Sequence, residues 1–200
     1  MTEVVLYHHV QGLTEGVRAF AEELRRAGHI VHTPDLFDGR TFETLDEGMA
    51  FARDAGFAVL AERGSAAARE VRHDAVYAGF SFGVTIAQRL AQTRPGARGA
   101  LLMYSCLPVS EFGDAWPEGV PVQVHGKEAD PFFVEDLEAA QVLVASTDRA
   151  ELFLYPGEEH LFADSSLPAY DPAAAALLTE RVLAFLARAQ ADEKSPPAGP

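Results

Sequence analysis

Short apolar runs alternate along this chain with stretches whose apolar residues recur every third or fourth position. The runs lie at 4–8, 29–33, 75–78, 100–104, 120–125 and 150–155. Segments such as Val4-Val5-Leu6-Tyr7 and Ala100-Leu101-Leu102-Met103, with no polar alternation, have the pattern of parallel strands covered on both faces. The stretches between them read as helices. Thr14 caps one whose Val17, Phe20, Ala21, Leu24 and Ala27 share a face, and Gly28 stops it. Thr44 and Glu47 form a capping box that opens a helix through Phe51, Ala52, Val59 and Leu60. Gly56 weakens that helix and Gly64 is expected to end it, while 65–72 fits loop or helix equally. Further helices are expected at 84–91 and 131–145. A last one starts at Asp171-Pro172, with proline in the first helical position. Strands alternating with helices predict an α/β fold: a three-layer sandwich with a mostly parallel sheet of about six strands. A single domain is expected over 1–190. Residues 191–200, with three prolines and no aliphatic side chain larger than alanine, read as a disordered tail.

One strand-to-helix junction has chemical content. Gly79-Phe80-Ser81-Phe82-Gly83 follows the run at 75–78 and precedes the helix at 84–91. A serine between two glycines at such a junction is the nucleophile-elbow pattern. The turn strains the serine backbone, and a side chain at either flanking position would strike the neighbouring strand or helix. The hydroxyl is thereby lifted to the start of a helix, whose free N–H groups can stabilise an oxyanion.

In parallel α/β sheets, sites lie beyond the carboxyl ends of the strands, so the partners of Ser81 belong in loops that follow strands. A serine hydroxyl needs a base, and the base needs a group to orient it. Asp130 and His160 follow the fifth and sixth runs, giving the order Ser, Asp, His of α/β-hydrolases. Asp130 directly precedes Pro131 and a helix, so it also fits a plain helix cap, and Glu128 is a rival acid. His9, after the first run, is the rival base. It has no carboxylate in its own segment, and its expected role is to line the pocket or to form a hydrogen bond.

Composition narrows the class of partner. A formal net charge of −14 would repel nucleic acid and anionic membranes. No apolar run approaches the roughly 20 residues of a membrane span. The acidic start Met1-Thr2-Glu3 shows no secretory signal, and a cytoplasmic protein is expected. The single cysteine, Cys106, excludes an internal disulfide. His8 and His9 are adjacent and have no other ligand at metal-binding spacing, and no phosphate-loop signature is present. No metal or cofactor is expected.

Three blocks give the chain a resemblance to the dienelactone hydrolases: His8-His9-Val10-Gln11-Gly12-Leu13 with Pro34-Asp35-Leu36, Gly79-Phe80-Ser81-Phe82-Gly83, and His125-Gly126-Lys127-Glu128-Ala129-Asp130 with Tyr155-Pro156-Gly157-Glu158-Glu159-His160. The resemblance implies an α/β-hydrolase core, a Ser81–Asp130–His160 triad, and oxyanion donors at the backbone N–H groups of Val10 and Phe82. There are departures. The family's usual nucleophile is cysteine, and here it is Ser81. The acidic residue before the oxyanion position is here His9. The arginine that holds a substrate carboxylate is here Asp164. The implied activity is hydrolysis of a small ester, lactone or thioester. An unpaired Asp164 facing the pocket would disfavour anionic substrates, and Arg40 is the cation available to compensate. The alternative is a non-catalytic α/β-hydrolase-fold protein that binds a small ligand or a partner.

Overall fold

The computed structural model describes residues 1–194. In chain order the elements are β1 (Glu3–Tyr7), α1 (Glu15–Arg26), β2 (Ile30–His32), α2 (Leu45–Ala55), α3 (Phe57–Arg69), β3 (Val76–Phe80), α4 (Phe82–Thr93), β4 (Gly99–Met103), β5 (Val122–Lys127), α5 (Pro131–Ser146), β6 (Ala150–Tyr155) and α6 (Pro172–Lys194). The strands form one sheet in the order β2-β1-β3-β4-β5-β6, and every pairing is parallel.

Alternate residues of the central strands feed two separate cores, which makes the fold three-layered. Val5, Tyr7, Tyr77, Ala100 and Leu102 pack on one face with Ala52, Leu60, Ile86 and Phe133 from α2 to α5. Val4, Leu6, Ala78, Leu101 and Met103 pack on the other with Phe20, Leu24, Leu178 and Phe185 from α1 and α6. Burial of both strand faces accounts for the unbroken apolar runs. From β1 the chain moves outward to β2 and then returns to β3 on the opposite side. The crevice outside the ends of β1 and β3 is therefore the switch point at which such sheets bind ligands.

Local signals mostly place the helix ends correctly. Thr14 Oγ1 accepts from Val17 N, and Thr44 and Glu47 form the reciprocal capping box. Three expectations need correction. Gly56 does more than weaken a helix: at φ 87° it ends α2 and starts α3. Gly64 does not end a helix but lies within α3, where a Cβ would come 2.8 Å from Ile86 Cδ1 and 3.2 Å from Tyr7 Cε1. Its carbonyl accepts from Tyr7 Oη at 2.9 Å, so glycine serves close packing there. The tail expected at 191–200 is helical over 191–194, where α6 continues, and 195–200 lies outside the described residues. Among the described residues no helix is long and apolar enough to cross a membrane.

Two buried histidines are held neutral. His125 in β5 stacks on Phe153, with Nδ1 2.9 Å from Tyr155 Oη and Nε2 3.3 Å from Gln123 Oε1. Burial pushes its pKa down to about 3, with the Arg181 charge adding to the effect. Burial likewise pushes His8, just after β1, down to about 4. An unfolded histidine takes up its proton near pH ~6.5, so the unfolded chain binds more protons than the folded one below that point. Folding stability is therefore expected to fall as pH drops from about 6.5 toward 4. His125→Phe should flatten that fall, as read by urea denaturation at a series of pH values. An unchanged slope would mean that His125 is not buried as a neutral ring.

Candidate active site

The turn after β3 has the geometry that its glycines suggested. Ser81 sits at φ 49° and ψ −113°, a conformation that side-chain-bearing residues rarely adopt. A Cβ on Gly79 would lie 2.4 Å from the Gly83 carbonyl carbon, and one on Gly83 would lie 2.4 Å from Tyr7 O in β1. The turn is pinned by Ser81 N donating to Met103 O at 2.7 Å and Val84 N donating to Ser81 O at 2.8 Å. Phe82 is the first residue of α4, so its N–H belongs to the helical turn that has no preceding carbonyl to bond.

Ser81, His160 and Asp130 come together although they follow three different strands. His160 Nε2 is 2.9 Å from Ser81 Oγ, and His160 Nδ1 is 2.6 Å from Asp130 Oδ2. A carboxylate can only accept, so Nδ1 carries the proton and the Nε2 lone pair accepts from the serine hydroxyl. Asp130 is fully buried, and its other oxygen accepts from Phe132 N at 3.0 Å. It is thus both helix cap and histidine partner, and the cap holds the carboxylate in place. Glu128, the rival acid, is exposed. The His160 ring meets Phe132 at 4.9 Å and the edge of Tyr104 at 5.6 Å.

The turn bearing His160 is tied down by a residue whose role the sequence reading did not recognise. Lys127 continues β5 by period-2 alternation after His125, and its side chain is 2% exposed. Its Nζ donates to Glu159 Oε2 at 2.6 Å and to Asp171 Oδ2 at 2.8 Å. Burial works against the ammonium charge, but these two bonds prevail and raise its pKa. Glu159 directly precedes His160, and Asp171 caps α6 through Ala173 N and Ala174 N. Tyr104 was also missed: its Oη accepts from Ala163 N at 3.0 Å, just beyond His160.

Asp164 is placed differently from expectation, and His9 takes the hydrogen-bonding one of its two expected roles. Asp164 does not face the pocket unpaired, and His9 is not free to line it. Both are buried, and His9 Nε2 lies 2.8 Å from Asp164 Oδ2. Two of the three departures from the pattern of the resemblance therefore meet each other. Val10 is 2% exposed in the same loop, which His8 braces by donating from Nδ1 to His9 O and accepting at Nε2 from Leu36 N. Arg40 is exposed, with its guanidinium 5.2 Å from the Phe51 ring. Phe51 packs on Phe37, which in turn meets Phe82, so two aromatic rings stand between Arg40 and the elbow.

The Lys127 contacts predict a divided phenotype. Lys127→Met removes the shared cation and leaves Glu159 and Asp171 facing each other. Both carboxylates are part-exposed, so the expected loss of thermal stability is modest, about 3–6 °C. Hydrolytic rate should fall by about tenfold through displacement of His160. Melting curves and ester turnover would check this, and unchanged turnover would show that the His160 turn does not depend on Lys127.

A nucleophile-type hydroxyl, a base already bonded to it and a buried carboxylate behind the base can together transfer an acyl group to the serine. Comparison with known proteins agrees in fold. A dienelactone hydrolase-like promiscuous phosphotriesterase from metagenomic libraries superposes with TM-score 0.74 at 20% identity, covering 94% of this chain and 86% of that one. Dienelactone hydrolase from Anabaena variabilis gives 0.68 at 17%, covering 94% and 86%. Thermogutta terrifontis esterase 2, phosphonylated by cyclosarin, gives 0.68 at 16%, covering 94% and 82%. At these identities the likeness is one of fold. A search of curated proteins finds none that matches. The dienelactone hydrolase family profile, however, matches residues 1–190, which takes in the sheet, the elbow and the turn bearing His160. This chain belongs to the dienelactone hydrolase family.

Proposed function

We propose that the protein is a serine hydrolase that cleaves a small ester, lactone or thioester through an acyl-enzyme on Ser81. The observation behind this reading is the unbroken relay from Ser81 Oγ through His160 to Asp130, at 2.9 and 2.6 Å. Ser81 Oγ bonds to the substrate carbonyl carbon while its proton passes to His160 Nε2. Asp130 stabilises the imidazolium, and the N–H groups of Phe82 and Val10 receive the oxyanion. Collapse of the tetrahedral adduct breaks the bond to the leaving oxygen or sulfur, which takes the proton from His160. Water then repeats the sequence on the acyl-enzyme. Family membership supports hydrolase activity.

The surroundings favour an uncharged substrate with apolar groups. Phe132, beside His160, is 52% exposed, and Phe57, beside Phe82, is 43% exposed. The position at which the resemblance expects a carboxylate-binding arginine holds Asp164, and the chain carries a net charge of −14. Neutral aryl and short-chain esters should therefore show higher kcat/KM than lactones bearing a carboxylate.

Ser81→Ala and His160→Ala should each lower turnover of p-nitrophenyl acetate by at least roughly a thousandfold without loss of the folded state. A fluorophosphonate should label the wild type once, on Ser81, by intact and peptide mass. Labelling at another residue, or full activity in Ser81→Ala, would refute the mechanism. A higher kcat/KM for a carboxylated lactone than for its neutral analogue would refute the substrate class.

A further inference from the structure

We infer that, within the serine-hydrolase reading above, His9 and Asp164 are positioning residues: a buried strut that joins the loop presenting Val10 N–H to the turn presenting His160. Neither side chain is available to substrate. His9 is 0% and Asp164 is 4% exposed. Both imidazole nitrogens are engaged. Nδ1 accepts from Gln11 N at 3.2 Å, which leaves the proton on Nε2 to be donated to Asp164 Oδ2 at 2.8 Å. A general base needs a free lone pair, and His9 has none, although it lies near enough to His160 for their charges to interact.

Asp164 is anchored as firmly. Its Oδ2 also accepts from Thr14 Oγ1 at 2.5 Å, and its Oδ1 accepts from Ser166 N at 2.9 Å and Ser166 Oγ at 2.6 Å. These bonds hold its carboxyl below the usual range despite burial. Thr14 caps α1, so the carboxylate sits at the positive end of that helix. It is seated so closely that a Cβ on Gly16 would fall 1.7 Å from its Oδ1.

The two ends of the strut are the two places where a serine hydrolase needs precision. At one end, Gln11 bonds back to the His9 ring, Gly12 N donates to His9 O at 3.1 Å, and Gly48 packs against Val10 O. With these contacts and the bond from His8 Nδ1 to His9 O at 2.7 Å, the peptide between His9 and Val10 is fixed beside the His9 ring, and that peptide supplies the proposed oxyanion donor. At the other end, Asp164 N donates to Leu161 O at 2.9 Å, closing the turn that begins at His160. The His9–Asp164 bond thus ties the loop of the oxyanion donor directly to the turn of the base, beside the bonds that Lys127 and Tyr104 make to that turn. Misplacement of such groups by about 1 Å costs on the order of a hundredfold in rate.

The test compares His9→Leu, which abolishes the bond, with His9→Gln, whose amide can still donate to Asp164 from nearly the same point. His9→Leu should lower kcat by about 10- to 100-fold with KM changed less than about threefold. The inhibition constant of an aryl trifluoromethyl ketone, which adds to Ser81 as a tetrahedral hemiketal, should rise by the same factor as kcat falls. His9→Gln should stay within about fivefold of wild type on both measures. Asp164→Ala, which also loses the Thr14 and Ser166 bonds, should cost at least as much as His9→Leu, and the His9→Leu/Asp164→Ala pair should be no slower than Asp164→Ala alone, because the His9 bond is already gone there. Equal loss in Gln and Leu, an additive double variant, or a change confined to KM would overturn the inference. If Asp164→Ala fails to fold, the comparison of Gln with Leu decides alone. Fluorophosphonate labelling separates the two levels. Labelling away from Ser81 defeats the serine-hydrolase reading, whereas labelling at Ser81 with undiminished kcat in His9→Leu defeats the strut alone.

Discussion

Helix α4 lies so close to β1 and β3 that no Cβ fits between them at Gly79 or Gly83, and much of the structure depends on that approach. It makes the chain turn within one residue, which leaves Ser81 at φ 49°. Such a conformation costs on the order of 1–3 kcal/mol and persists only where the surroundings over-determine it. Here the fully buried β3 and the bond from Ser81 N to Met103 O do so. The same turn places the serine beside the first N–H groups of α4 and at the point where strand order reverses. The strained serine, the helix terminus and the crevice at the switch point therefore share one cause.

Beyond the carboxyl ends of the strands, buried charge holds the loops together. Lys127 joins β5 to Glu159 and Asp171. Asp130 joins the end of β5 to His160, and Asp164 joins the turn after β6 to the loop after β1 and the start of α1. Desolvated charges are stable only when their partners are in place, so each of these is better seen as a geometric constraint than as a source of net stability. The sheet supplies the frame, and the charges set where its loops stand relative to one another.

Two of the departures from the pattern of the resemblance, His9 and Asp164, gain meaning from this arrangement. Taken separately, His9 in place of an acid and Asp164 in place of an arginine would be two losses. In the structure they are one bonded pair, buried together, so the exchange is compensated within the protein. Beside His160 and Phe82, the aromatic rings of Phe132 and Phe57 are exposed.

The sequence by itself determined what depends on near neighbours along the chain. Apolar runs specified the strands, and Thr14 and Thr44 specified helix starts through contacts within a few residues; the glycine spacing around Ser81 marked the elbow, although the backbone that Gly83 meets is that of β1. Tertiary structure decided what depends on residues far apart. Gly64 could be read as a helix stop until Tyr7 and Ile86 were seen packed against it. Lys127 could be read as a loop residue until two carboxylates from later turns closed over it. Asp130 could be helix cap or histidine partner, and only the position of His160 showed that it is both. His9 had no carboxylate in its own segment, and its partner stands 155 residues away in sequence. Propensity and periodicity act over one or two turns of chain, whereas a hydrogen bond between loops is set by how the sheet orders its strands.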